Sequence, residues 1–163
     1  MEYDLAKILS VQEETEGKFR KKLGLENTVL FDNIIVAFKV ELGEFLNVTE
    51  MHKYWKENKR LYDRKDLIDE FCDCLAFLIN IGLEKGWHRF TNKIHLDLDN
   101  GFYDLDHIIS DLFNNDLHSS GQWVNALHDL FRLGFECGLE LKDIEEGFEL
   151  VTLKNNRRIK GGY

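Results

Sequence analysis

Apolar residues recur every three to four positions along most of this chain, which is the spacing of amphipathic helices. No segment shows a convincing alternation of apolar and polar residues, the pattern that is typical of a half-buried strand. The sequence also contains no proline, which suits long uninterrupted helices. The pattern therefore predicts an all-α fold, a bundle of about six to seven helices that forms one domain over residues 1–163.

The bounds of the predicted helices rest on residues that commonly start or end helices. Gly24 is expected to end the first helix, and Asp32 or Asn33 to cap the second. Ser119 or Ser120 is expected to cap a later helix. The predicted helices cover about residues 3–23, 33–46, 49–56, 66–85, 102–113, 120–135 and 141–153. Loops are predicted at 57–65 and 87–101.

Two pairs of carboxylates lie within these apolar helical runs, Glu41 with Glu44 and Glu70 with Asp73. Residues three apart share one face of a helix, and the neighbours on these faces are alanine and phenylalanine. Such spacings also arise by chance among 30 acidic residues. However, acidic side chains are rarely buried without a partner, and an unpaired buried charge is very costly. The four carboxylates are therefore expected to face inward and to form a metal site for a cation that prefers oxygen ligands, such as Mg²⁺.

Charge and cysteine content narrow the possible functions. A formal net charge of −9 argues against a general nucleic-acid-binding protein, because such proteins normally carry a basic patch. No stretch approaches the length of an apolar membrane span, and the acidic N-terminus has no apolar signal core. The odd count of three cysteines, without zinc-site spacing, favours reduced thiols. These features predict a cytoplasmic protein that binds neither nucleic acid nor membrane.

Five motifs follow one another along almost the whole chain. They are Leu9-Ser-Val-Gln12-Glu-Glu-Thr-Glu16, Glu41-Leu-Gly-Glu44-Phe-Leu-Asn47, Lys53-Tyr-Trp55-Lys56, Asp69-Glu70-Phe-Cys-Asp73, and the tail with Lys154-Asn155, Arg158 and Gly162-Tyr163. Taken together and in this order, these motifs resemble those of the dimeric, all-α dUTPases, a family related to the MazG-type pyrophosphohydrolases.

The resemblance implies a dUTP diphosphatase that acts as a homodimer. In this family, water attacks the β-phosphorus of dUTP, and dUMP and pyrophosphate are released. Two or more Mg²⁺ ions are implied, held by Glu41, Glu44, Glu70 and Asp73. Glu41 or Glu44 is also expected to orient the attacking water, and the spacing alone does not choose between them.

The resemblance also suggests which residues bind the nucleotide. Gln12 is implied for the uracil base, and Asn80 follows Asp73 by two helical turns, within reach of the sugar or base. Surface exposure for Gln12 and simple packing for Trp55 remain open alternatives. We expect the tail after Leu153 to be mobile without ligand and ordered with it. The expected base-binding residues are Gln12, Trp55 and Asn80, and the expected phosphate-binding residues are Lys56, Lys154, Asn155 and Arg158.

Departures from the family pattern leave alternatives open. Thr15 stands where the family usually has an apolar residue, and Glu16 where aspartate is more usual. Ala76 replaces a histidine of some members, and Ile159 replaces a common glutamine. One alternative is a MazG-like pyrophosphohydrolase for another nucleotide, such as dCTP. The other is a non-catalytic helical interaction domain, which the complete carboxylate set argues against.

Overall fold

The computed structural model describes residues 2–57, 62–96 and 104–161. Helices dominate this part of the chain, so the predicted all-α class is confirmed. None of the helices in these ranges has the length and apolar character of a membrane span. The helices are α1 (Ala6–Leu23), α2 (Phe31–Thr49), α3 (Arg64–Glu84), α4 (Leu105–Asn114), α5 (Ser120–Glu136) and α6 (Leu141–Gly161).

Helix α3 lies at the centre of the fold and packs against α1, α2, α5 and α6. Its close approach to α5 depends on Gly82, because a Cβ atom at this position would lie 2.3 Å from Cζ2 of Trp123. The Trp123 side chain is fully buried, and its Nε1 donates a hydrogen bond to the carbonyl of Leu78 at 2.7 Å. The face of α3 that carries Gly82 is thus fixed against α5, while its other faces contact α1, α2 and α6.

Helix α2 begins earlier than the sequence predicts. Its first residue is Phe31, with Leu30 at the cap position, so the prediction that Asp32 or Asn33 caps it is wrong. The Leu30 N–H donates instead to Glu84 Oε1 at 2.9 Å. Glu84 lies at the end of α3, far away in sequence, and capping signals read from local sequence do not include such partners.

The predicted helix over 49–56 is also wrong. Helix α2 runs on to Thr49, and a series of turns follows. Glu50 adopts a left-handed conformation with φ of 53°, which is uncommon for a residue other than glycine. Its carboxylate accepts hydrogen bonds from Lys53 and Lys56 at 2.8–2.9 Å. These contacts offset the backbone preference and end the helix.

The remaining boundaries differ from the predictions in smaller ways. Helix α3 starts at Arg64 rather than Asp66, because the side chain of Asp63 caps it by accepting from the Lys65 N–H. Ser119 caps α5 as predicted. Helix α6 continues to Gly161, beyond the predicted end at residue 153. The predicted start of a helix at 102 and parts of both predicted loops lie outside the described residues.

Two short strands, β1 (Glu2–Asp4) and β2 (Lys93–His95), were not predicted. They pair antiparallel, with Tyr3 opposite Ile94, and the Leu5 N–H then donates to the carbonyl of Asn92 at 2.7 Å. Three residues are too few to show a strand's alternation. The first helix therefore starts at Ala6 instead of residue 3.

Candidate active site

The predicted carboxylates come from the two most closely associated helices, with Glu41 and Glu44 on α2 and Glu70 and Asp73 on α3. One carboxylate oxygen from each of Glu41, Glu44 and Glu70 lies within 4.8 Å of the other two. Glu41 and Glu70 are half-buried, whereas Glu44 is exposed, so the expectation that all four face inward is wrong for Glu44. The three oxygens are close enough for one cation to contact all of them.

The electrostatics of this cluster also point to a cation. Burial, followed by the negative charges of Asp73, Glu44 and Glu70, raises the pKa of Glu41 to about 7. Burial, followed by Asp73 and Glu44, likewise raises the pKa of Glu70. Both carboxyl groups therefore resist ionisation in the folded protein. A divalent cation would relieve this repulsion, and an all-oxygen donor set fits Mg²⁺.

A cavity of about 280 Å³ opens beside this cluster. Its wall is partly apolar, with Phe19 of α1 and Phe77 of α3 among the contributors. It also brings together predicted residues from four helices. These are Gln12 of α1, Glu41 of α2, Asp73 and Asn80 of α3, and Asn155 and Arg158 of α6.

One end of the cavity carries a pair of amide side chains. Gln12 Nε2 donates a hydrogen bond to Asn80 Oδ1 at 2.9 Å, and each residue is only 5% exposed. Gln12 is therefore not an ordinary surface glutamine. Thr15 is buried beside this pair, and its hydroxyl donates to the carbonyl of Val11 at 2.8 Å. The hydroxyl thus has its hydrogen bond within α1, at a position where the family that the sequence resembles usually has an apolar residue.

The end of α6 brings two cations to the carboxylate side of the cavity, where Arg158 lines the wall and Lys154 lies beside Asp73. Lys154 Nζ lies 3.9 Å from Asp73 Oδ2, and Lys154 and Arg158 are one helical turn apart. Burial raises the pKa of Asp73, while Lys154 and Arg158 act against that shift. The end of α6 is also held to α1, because Lys22 Nζ donates to the carbonyls of Arg158 and Ile159 at 3.0 and 2.6 Å. This end of the cavity thus combines carboxylates with cations.

A comparison with protein-family models decides the family. The model described as dUTPase matches residues 4–163, which is nearly the whole chain. The chain belongs to the dUTPase family. It is accordingly a nucleoside triphosphate pyrophosphohydrolase. No match to the chain is found among curated proteins.

Two residues expected in a dUTPase site lie elsewhere. Trp55 is 63% exposed, and its ring packs edge-on against Tyr54 and His52. Lys56 is paired with Glu50 at 2.8 Å. Neither residue lines the cavity. The structure therefore does not bring these two residues to the cavity, and the roles of Trp55 and Lys56 stay predictions.

Sequence reasoning missed other residues that line the cavity. Phe77 lies between Asp73 and Asn80 on one face of α3, at helical spacings of four and three, so the helical period could have revealed it. Arg20 pairs with Glu16 at 2.8 Å, one turn earlier on α1. The i,i+4 spacing signals that pair, but nothing local shows that it faces a cavity.

Proposed function

We propose that this dUTPase-family protein hydrolyses dUTP to dUMP and pyrophosphate in a Mg²⁺-dependent reaction. The observation that carries the proposal is the cavity itself, which joins three kinds of group in one place. It lies beside the carboxylate cluster, of which Glu41 lines the wall, and it holds a buried amide pair together with Asn155 and Arg158 of α6. A nucleoside triphosphate has the matching parts, namely a base with hydrogen-bonding edges and a chain of phosphates.

The carboxylates Glu41, Glu44, Glu70 and Asp73 would hold the metal, with two or more ions expected. When bound, Mg²⁺ supplies charge neutralisation at the phosphates and lowers the pKa of bound water. Glu41 or Glu44 would orient the attacking water and accept its proton. Glu41 lines the cavity, and in the metal-free protein burial and its acidic neighbours raise its pKa to about 7.

The cations of α6 would hold the phosphate chain. Lys154 offers a point charge and Arg158 a planar fork, while Asn155 can donate from its amide. Their position on one helix end beside Asp73 supports this assignment. Phosphoryl transfer depends mainly on positioning and neutralising charge, which is the contribution these residues would make.

The amide pair of Gln12 and Asn80 would contact the base. Amide groups donate and accept hydrogen bonds, as the edge of uracil does. Their burial supports this role, because a polar pair at the wall of a cavity can select a ligand by its hydrogen-bonding pattern. Trp55 remains a further candidate for the base and Lys56 for the phosphates.

A panel of canonical and modified nucleotides, assayed for pyrophosphate release with Mg²⁺ or with EDTA, tests this function. We expect a preference for dUTP that disappears with EDTA. If dCTP is hydrolysed fastest, or if many nucleotides are hydrolysed at similar rates, the alternative of a MazG-like pyrophosphohydrolase would replace the dUTP assignment. Unchanged turnover in EDTA would overturn the metal dependence.

Homodimerisation and cytoplasmic location are separate proposals. The resemblance that suggested a dimer is consistent with exposed apolar side chains on α2, where Val36 is 62% and Val40 53% exposed. Sedimentation at several protein concentrations tests the assembly, and a monomer at micromolar concentration would contradict it.

A further inference from the structure

A chain of hydrogen bonds runs from Arg20 to the amide pair at the cavity wall. Arg20 Nε donates to Glu16 Oε1 at 2.8 Å, and the other carboxylate oxygen, Oε2, accepts from Asn80 Nδ2 at 3.1 Å. Asn80 Oδ1 then accepts from Gln12 Nε2 at 2.9 Å. Arg20 is itself anchored, because its Nη2 donates to Glu84 Oε2 at 2.7 Å. The series therefore connects a fixed cation to Gln12.

The chemistry of these groups sets the direction of every bond in the series. A guanidinium only donates, and an ionised carboxylate only accepts. Asn80 must therefore turn its amide nitrogen towards Glu16 and its amide oxygen towards Gln12. Gln12 must in turn present its own nitrogen to Asn80. An isolated amide could rotate by half a turn at little cost, but here such a rotation would place two acceptors or two donors together.

This direction decides what the cavity offers to a base. Among the described residues, no group donates to Gln12 Oε1, yet no fully buried polar side-chain atom in these ranges is without a partner. Gln12 Oε1 is therefore accessible from the cavity that Gln12 lines. At this point the wall presents an acceptor. The ring nitrogen N3 of uracil carries a hydrogen and can donate, whereas N3 of cytosine is an acceptor.

We propose that Glu16 is a positioning residue that fixes the orientation of both amides and thereby selects uracil over cytosine. The inference rests on the proposed function, since it requires the base to lie against Gln12. Glu16 acts through Asn80 and need not contact the nucleotide. The same arrangement does not discriminate against thymine, whose N3 also carries a hydrogen.

The substitution Glu16→Gln tests the proposal because it keeps the size of the side chain and makes one of its two terminal atoms a donor. Beside the permanently charged Arg20, the oxygen of the new amide is expected to face the guanidinium, so its nitrogen faces Asn80. Asn80 then turns its oxygen towards position 16 and its nitrogen towards Gln12. Gln12 consequently presents its own nitrogen, a donor, to the base.

We expect E16Q to lower the ratio of kcat/KM for dUTP to that for dCTP by at least about tenfold, since one hydrogen bond changes from favourable to mismatched. The KM for dCTP should fall in absolute terms, and dTTP should respond as dUTP does. Glu14→Gln is the matched control, because Glu14 is exposed on the same helix and pairs only with Lys18 in the described structure. It should leave the ratio unchanged.

Equal losses for dUTP and dCTP in a folded E16Q protein would overturn the proposal, because Glu16 would then be merely structural. If E16Q is too unstable to purify, the shorter pair Glu16→Asp and Glu16→Asn provides the same contrast, and equal ratios in that pair would overturn it as well. The substrate preference of the wild-type protein distinguishes failure of this inference from failure of the proposed function. If it prefers dUTP and E16Q keeps that preference, the proposed function stands and this inference fails.

Discussion

The two ends of the cavity differ in whether their polar groups already have partners. At the base end, Gln12 and Asn80 are buried with their mutual hydrogen bond made, and Glu16 and Arg20 complete the series. At the metal end, Glu41, Glu44 and Glu70 bring like charges together, and burial raises the pKa of Glu41 and Glu70. Under the proposed function, the base end is formed before the ligand binds, whereas a bound cation would stabilise the metal end.

This contrast has a consequence for substitutions. A change at the metal end should reduce activity while relieving repulsion in the metal-free protein. A change at the base end should reduce both affinity and stability, because it leaves a buried polar group without its partner. Activity and melting temperature measured on the same variants can therefore separate the two ends.

The largest effect is expected for Asp73→Ala. Loss of this proposed carboxylate ligand should lower kcat/KM for dUTP by about a hundredfold to a thousandfold, as for other removed electrostatic groups in catalysis. Pyrophosphate release at saturating Mg²⁺ measures it. Asp32→Ala is the control, since Asp32 is exposed in the first turn of α2. Turnover at the wild-type level in D73A would remove this residue from the metal site.

An intermediate effect is expected for Asn80→Ala. The variant leaves the buried Gln12 amide without its partner, so the free energy of unfolding should fall by about 1–3 kcal/mol. The KM for dUTP should rise by about tenfold, with a smaller change in kcat. Urea unfolding and steady-state kinetics provide the two readouts, and Asn125→Ala, on the exposed face of α5, is the control. Unchanged stability together with unchanged KM would contradict a preformed base end.

The smallest effect concerns pH and Glu41. The pKa of Glu41 is about 7 in the folded protein, against an ordinary value of 4.5, so the folded state holds a proton that the unfolded state releases. Stability should therefore decline as pH rises from about 4.5 to about 7 in EDTA. Asp129, whose pKa burial raises to about 6, contributes in the same direction.

Comparison with Glu41→Gln isolates the Glu41 contribution to this pH dependence. Melting temperatures at pH 5 and pH 8 should differ less in E41Q than in the wild type, and Mg²⁺ should reduce the difference in the wild type. Identical pH dependence in the two proteins would show that Glu41 is not electrostatically strained.

The sequence indicated the pairing of the carboxylates but not the pairing of the two amides, and the reason is the range of the interactions. The pairs Glu41–Glu44 and Glu70–Asp73 follow from helical spacing within one segment. The bond between Gln12 and Asn80 joins residues 68 positions apart, so no local pattern reveals it. The same limitation explains why the start of α2 was predicted wrongly, because the carboxylate that accepts from the Leu30 N–H belongs to Glu84 of another helix. The fold class could be predicted because helical periodicity is local in every segment.

The contrasting environments of the tryptophans give the protein an intrinsic optical probe. Of the three tryptophans, Trp123 is completely buried over Gly82 and Trp87 is partly buried against it, with ring centroids 6.4 Å apart. Trp55 is 63% exposed in the segment after α2. The buried indole emits at shorter wavelength and is shielded from iodide, while the exposed indole emits at longer wavelength and is readily quenched. A nucleotide that engages the segment after α2 would therefore protect the long-wavelength component from iodide and leave the emission of Trp123 unaltered.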